Sequence, residues 1–309
     1  SLLNLSRSLG ASISISLLTT LLSYNIQYGF GADEVYDLPR IADVIRDGDI
    51  IALQEVERHW SRTGFDDQPA ILQTLLPRHY TAFGPGFDMD ASTGTDRSRR
   101  RQFGPMILSR WPILWTRLHL LPMRRMLDPL NTQNAALEAC ITTPLGPLRI
   151  LSLHLAHVGT PERLDQIDHL LTLHARADLA GPPWSGTDDE PHRNWTESRP
   201  EPPNPARAIW MGDFNMEPGS AEYLRLTGHT PYHPGAVYAG GLLDAVALAA
   251  KNGIEPHAGH GLTFENVQPI AAIPQIAELN IGHYLIGEAV FVGLENAIRR
   301  MRDLMDEVR

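Results

Sequence analysis

Ala208-Ile-Trp-Met-Gly-Asp-Phe-Asn215 sets four apolar residues before a glycine, a carboxylate, an aromatic ring and an amide. A short apolar run bounded by a turn residue reads as a buried strand, which puts Asp213 and Asn215 where that strand ends. The two-residue period of an extended chain places both on one face. A carboxylate there can ligate a hard cation or polarise an attacking water, and the amide can hold a phosphoryl oxygen. Taken alone, the motif is explained equally well by an Asx turn at a strand end.

Three more apolar runs end in the same way. Glu55 follows Ile50-Ile-Ala-Leu-Gln, Asn25 follows Leu21-Leu-Ser-Tyr, and His154 follows Arg149-Ile-Leu-Ser-Leu. Each has an ordinary explanation by itself: Glu55 can cap a helix or pair with an arginine, Asn25 can make a turn, and a lone histidine is usually structural. As a set, polar groups suited to metal or phosphate at the ends of buried strands point to one shared rim.

The 309-residue chain is long enough for one large layered domain or two smaller ones, and its 43% hydrophobic and 20% charged residues are those of a globular protein. A formal net charge of -10 disfavours a broad footprint on nucleic acid and favours a small phosphate ester or a lipid headgroup. Cys140 is the only cysteine, which excludes an internal disulfide framework, fits a reducing, cytoplasmic setting and reads as a small buried hydrophobe. The Ser/Leu/Ile-rich segment 1–20 runs into the first strand without a small-residue cleavage site, so it reads poorly as a targeting segment. No stretch reaches the roughly 18 to 20 apolar residues that span a bilayer.

Strands are expected over 21–26, 49–53, 105–108, 148–153 and 208–211. A helix is expected from Thr160 as N-cap, with Pro161 at its first position, to Gly181. Strands and helices are mixed, so the class is α/β or α+β. Segments 88–101 and 181–205 read as long loops. Arg97-Ser-Arg-Arg-Arg101 in the first of them suits either a grip on phosphate or a solvated charge run. His157 reads as part of the turn after His154. Composition shifts near residue 250, where the single lysine, Lys251, stands. Beyond it, Val290, Leu294, Ile298, Met301, Met305 and Val308 follow the spacing of a C-terminal helix.

The segments Ser23-Tyr-Asn-Ile-Gln27, Ala52-Leu-Gln-Glu-Val56, Ser152-Leu-His-Leu155 and Gly212-Asp-Phe-Asn215 resemble, in kind and in order, the motifs of the endonuclease/exonuclease/phosphatase superfamily. The likeness covers about residues 18–248. It implies a four-layered α/β sandwich of the DNase I-like type and an in-line attack of water on a phosphodiester or phosphomonoester, with Mg²⁺ or Mn²⁺ as cofactor. It implies further that Glu55 holds the metal with Asn25 nearby, that Asp213 orients or activates the water, and that His154 and Asn215 contact the phosphoryl oxygens.

Such proteins finish with an Arg-Ile-Asp-Tyr-like strand and a Ser-Asp-His motif, and neither occurs here. The expectation is therefore a sandwich incomplete at its C-terminal end and a weakened site. From about residue 249 the chain is instead similar to the end of pyridoxine 5'-phosphate synthase, through His257-Ala-Gly-His-Gly-Leu-Thr263 and Glu278-Leu-Asn-Ile-Gly-His-Tyr-Leu-Ile-Gly287. That resemblance makes His260 the counterpart of a catalytic histidine and groups it with Gly261, Gly282 and His283 as phosphate-binding positions. A quarter of a TIM barrel cannot close, so a partial βα tail is expected over 249–309, after a phosphoesterase domain over 1–248, with the junction anywhere from 248 to 264. The leading reading is a metal-dependent phosphoesterase. Its rivals are a phosphate-binding remnant without turnover and, from the tail alone, the synthase.

Overall fold

The computed structural model describes residues 3–4, 20–31, 33–188, 194–228, 241–245, 248, 257–259, 262–265, 267–274, 276, 278–281 and 283–309. Among these residues, twelve strands run in chain order: β1 (Leu3–Asn4), β2 (Leu21–Asn25), β3 (Ile50–Arg58), β4 (Tyr80–Phe83), β5 (Phe87–Asp90), β6 (Arg100–Ser109), β7 (Ile113–Leu120), β8 (Ala135–Thr143), β9 (Gly146–His154), β10 (Ala208–Asp213), β11 (His257–Gly259) and β12 (Glu278–Asn280). The helices are α1 (Leu38–Ile45), α2 (Gln68–Leu75), α3 (Thr160–Ala175), α4 (Ala177–Ala180), α5 (Ala221–Thr227), α6 (Val267–Ala271), α7 (His283–Val292) and α8 (Leu294–Asp306).

One sheet has the order β2-β3-β6-β4, with β5 also on β6, and a second has the order β10-β9-β8-β7. The pairs β2/β3 and β9/β10 are parallel, and the other pairs of these two sheets are antiparallel. Alternation along β3 sorts the core into layers. Ile51 and Leu53 turn to α1 and α2, where they meet Ile41, Ile45 and Leu72, while Ile50 and Ala52 turn to the second sheet and meet Leu137, Ala139 and Ile150. On the far face of the second sheet, Leu151 and Leu153 cluster with Ile167, Leu170 and Leu226. The result is a helix–sheet–sheet–helix sandwich of four layers, as expected. Among the described residues, β2 and β10 each form one edge of their sheet and lie next to each other.

Several boundaries differ from the sequence reading. The N-cap of α3 is Gly159, so Thr160 is the first helical residue, and the helix ends at Ala175 before the short α4. Segment 88–101 is largely a hairpin, because Asp88 pairs with Gln102 and Asp90 with Arg100. Its arginines lie mostly on protein: Arg100 pairs with Asp88 at 2.8 Å, Arg99 stacks on Phe65, and Arg101 stacks on Trp60. Segment 181–205 has no strand or helix among its described residues.

Cys140 lies fully buried in β8, where burial pushes its thiol up to about 11. At pH near 8 it is expected to resist a thiol reagent in the native state and to react in denaturant. Native reaction at the rate of a free thiol would contradict this packing.

The tail forms a third sheet in which β11 pairs antiparallel with β1 and parallel with β12. The expected single C-terminal helix is two helices, broken at Gly293 with φ 83, and its stripe is not one buried face: Met301 is buried, while Val290, Leu294 and Ile298 are exposed. Among the described residues of the tail, two strands and three helices give the partial βα tail and no closed barrel. Among the described residues, no helix is long and apolar enough to cross a membrane.

Candidate active site

The parallel registers bring the polar strand ends together. Asn25 stands beside Gln54 across β2/β3, and Asp213 beside His154 across β9/β10. The two sheets then meet through one amide, since Asn25 Nδ2 donates to Glu55 Oε1 at 2.9 Å and to Asp213 Oδ2 at 3.1 Å. His154 Nε2 lies 3.9 Å from Glu55 Oε1 and 3.8 Å from Asp213 Oδ2. Four of the five expected residues therefore occupy one small volume.

Glu55 is aimed by a β-bulge. Between Leu53 and Val56 the register of β3 against β6 slips by one residue, and the unpaired position opposite is Pro105, which has no N–H to give the ladder. Glu55 takes up the slip with φ 62, a left-handed conformation that a non-glycine residue holds only when its surroundings enforce it. Its Oε2 is buried with no partner at hydrogen-bonding distance, and the polar group that faces the carboxylate from the next turn is the Tyr28 hydroxyl.

Asp213 serves the turn and the site with different oxygens. Its Oδ1 accepts the N–H of Asn215 at 3.0 Å, which is the Asx turn, while its Oδ2 faces Asn25 and His154. Asn215, at φ 48, directs its amide nitrogen to the Leu155 carbonyl at 2.8 Å, so this donor points to the β9 loop and to neither carboxylate. Burial is the largest influence on the Asp213 carboxyl and pushes its pKa up. The charge of His154 and the hydrogen bonds from Asn25 and Asn215 pull it down, and the net shift is downward, so Asp213 is ionised at neutral pH.

Tyr28 was not singled out by the sequence. It sits at φ 57 in the turn three residues past Asn25, and its pKa is raised first by burial and then by the charge of Glu55. Arg62 covers its ring at 3.8 Å and that of Trp60 at 4.4 Å, held by the buried Glu57. His157 lies exposed in the bend after β9. His260, Gly261 and Gly282 fall outside the described residues, and of His283 only the backbone, at the start of α7, is described.

Among the described residues, no group of three or more His, Cys, Asp or Glu is arranged to hold a metal by itself. The donor set still fits a hard divalent ion such as Mg²⁺, which keeps several waters and takes one or two carboxylates together with the substrate's phosphate. The vacant lone pairs of Glu55 Oε2 are the fitting feature. As placed, Asn25 presents its nitrogen to Glu55, while its Oδ1 accepts the N–H of Gln27 at 3.0 Å.

Two family models match the chain. Residues 238–307 match that of the pyridoxal phosphate biosynthesis protein PdxJ. In that segment the chain is 67% identical over 66 residues to the pyridoxine 5'-phosphate synthase of Zymomonas mobilis, covering 21% of this chain and 26% of the relative. The corresponding enzyme of Caulobacter sp. strain K31 is 69% identical over 68 residues, covering 22% and 27%. The chain thus spans about a quarter of the length of the curated relatives it matches. Among solved structures, an endonuclease/exonuclease/phosphatase from Beutenbergia cavernae is 27% identical, with a TM-score of 0.42 over 49% of this chain and 43% of that one. A mannosyl-6-phosphatase from Bacteroides thetaiotaomicron is 18% identical, with a TM-score of 0.41 over 67% and 69%. The second family model matches residues 22–270, which takes in Asn25, Glu55, His154 and Asp213 and so the whole cluster; the chain belongs to the Endonuclease/Exonuclease/phosphatase family.

Proposed function

We propose that the chain hydrolyses a phosphate ester, either a small ester or a lipid headgroup, with Mg²⁺ or Mn²⁺ held at Glu55. The observation that carries this reading is the buried, unpartnered Glu55 Oε2 beside an ionised Asp213. When bound, the ion supplies charge neutralisation at the phosphoryl oxygens. Asp213 accepts a hydrogen bond from the attacking water and aligns it. Asn25 fixes the two carboxylates at a set spacing, so that neither has to reorganise during the reaction. His154, between the same two carboxylates, turns its Nε2 toward the site and offers an N–H to a phosphoryl oxygen. Asn215 shapes the turn that orients Asp213.

The family's terminal histidine has no counterpart by motif, so modest turnover is the expectation. The division into two segments is kept at 248/249, inside the stretch 238–270 that both family models match. No synthase activity is proposed for a tail that spans about a quarter of the synthases it matches.

The testing experiment is hydrolysis of bis(4-nitrophenyl) phosphate by the full chain, with Mg²⁺ or with a chelator. Turnover with Mg²⁺ that stops with the chelator is expected. Equal rates in both would remove the metal from the account, and no turnover with Mg²⁺ or Mn²⁺ would leave a phosphate-binding remnant.

A further inference from the structure

Alternation puts Arg149 on the face of β9 that carries Leu151 and Leu153 to α3, and there it is 1% exposed. A guanidinium this deep costs stability unless each of its nitrogens finds a partner. Nε faces Glu138 Oε1 at 3.1 Å, an ion pair without hydrogen-bond alignment, and Nη2 lies 2.8 Å from His174 Nδ1. Nη1 is equally buried and meets no acceptor among the described residues.

Register builds a cavity around this group. Arg117 of β7 pairs with Glu138 of β8, which pairs with Leu151 of β9, so three strands set these side chains in one row on the α3 face. His119, on the same face, brings Nε2 to Glu138 Oε2 at 2.8 Å. With Leu173 and His174 of α3 above them, these residues enclose a cavity of about 30 Å³ that Arg149 also lines. That is room for one or two waters or for one monatomic anion. Segment 181–205 is fastened beside the cavity at both ends: Arg117 Nη2 donates to the Gly181 carbonyl at 3.1 Å, and Asn204 Nδ2 to the Ala177 carbonyl at 2.9 Å. The cavity is remote from the Asn25 cluster, because Arg149 precedes His154 by five residues, about 16 Å along the strand.

The acceptors of the lining are engaged. Burial first, and then the charge of Arg149, pushes the His174 pKa down, so the ring is neutral at neutral pH and its Nδ1 accepts from Arg149. Both Glu138 oxygens already face a donor, one from Arg149 and one from His119. A water on Nη1 would have two hydrogens of its own to place among these acceptors, whereas an anion only accepts. Charge agrees. Two guanidinium groups, Arg117 and Arg149, line the cavity against the single carboxylate of Glu138, and Asp178, whose charge also reaches His174, is exposed and does not line it. We propose that this cavity is a site for a monatomic anion, chloride, with Arg149 Nη1 as its main donor. A polyatomic anion such as phosphate exceeds the volume. The site is independent of the phosphoesterase reading, since it shares no residue with the Asn25 cluster.

Thermal melting of the full chain in sodium chloride and in sodium gluconate, at equal ionic strength so that screening is the same, tests this. Gluconate is too large for the cavity. The melting temperature is expected to stand about 2 °C higher in chloride at about ten times its dissociation constant. Arg149→Lys keeps a positive charge for Glu138 and discards Nη1, so the chloride-dependent rise should disappear in it. Equal melting of the parent in the two salts would overturn the proposal and leave water in the cavity. An undiminished chloride effect in Arg149→Lys would overturn it too, because the anion would then sit elsewhere. Should the variant fail to fold, the chlorine NMR line of a solution of the parent decides. Broadening by the protein that added bromide reverses is the expected result, and a line no broader than that of the buffer would overturn the proposal.

Discussion

Asp213→Asn is expected to lower kcat/KM for bis(4-nitrophenyl) phosphate by about a hundredfold to ten-thousandfold, the range for losing a positioned proton acceptor. The substitution keeps the size of the side chain and an oxygen for the Asn215 N–H, so the Asx turn and the fold should survive. It removes the negative charge that His154 faces at 3.8 Å and that accepts from Asn25. Most of the loss should therefore fall in kcat, with an unchanged melting temperature as the control. A variant within a factor of about three of the parent would show that the water is activated elsewhere.

Gly212→Ala is expected to have the largest effect on stability. A Cβ at Gly212 would lie 1.9 Å from the backbone oxygen of Leu153, with φ at 155. That oxygen belongs to the strand paired with β10 in parallel, so relief requires prying apart the two strands that carry His154 and Asp213. A backbone clash of this kind has no flexible side chain to absorb it, and the loss should be about 3 kcal/mol or more. Urea denaturation would measure it beside Gly94→Ala, where a Cβ meets nothing within 4 Å and the change should stay within about 0.5 kcal/mol. Equal midpoints for the two variants would mean that β9 and β10 are not paired in this register.

Much of the site was legible because hydrophobic runs and the polar residues that end them are local signals. Asn25, His154 and Asp213 could be placed at strand ends from that alone, Glu55 was expected at one and instead stands at the bulge inside β3, and the four do converge. The bulge was not legible. It depends on Pro105 standing unpaired opposite the bulge, 50 residues from Glu55 in sequence, so β3 was expected to stop at Leu53 and runs on to Arg58. Other omissions had usable signals. Asp37 caps α1 by accepting the N–H of Arg40 at 2.9 Å, and Leu38, Ile41, Ala42 and Ile45 behind it follow helical spacing. The placement of Tyr28 had no such signal, because it arises from a left-handed turn and from the arginine laid over its ring. In the tail, the apolar stripe suggested one helix, but Gly293 at φ 83 divides it, and the glycine was the cue to weigh.

The central claim is that the free oxygen of Glu55 holds the divalent ion. Calorimetric titration of Mg²⁺ into the parent and into Glu55→Gln tests it without reference to turnover. The account predicts a single binding event in the parent that is lost, or weakened by at least about tenfold, in the variant, since an amide keeps the shape of the carboxylate and discards its charge. Equal Mg²⁺ affinity in the two proteins would contradict it.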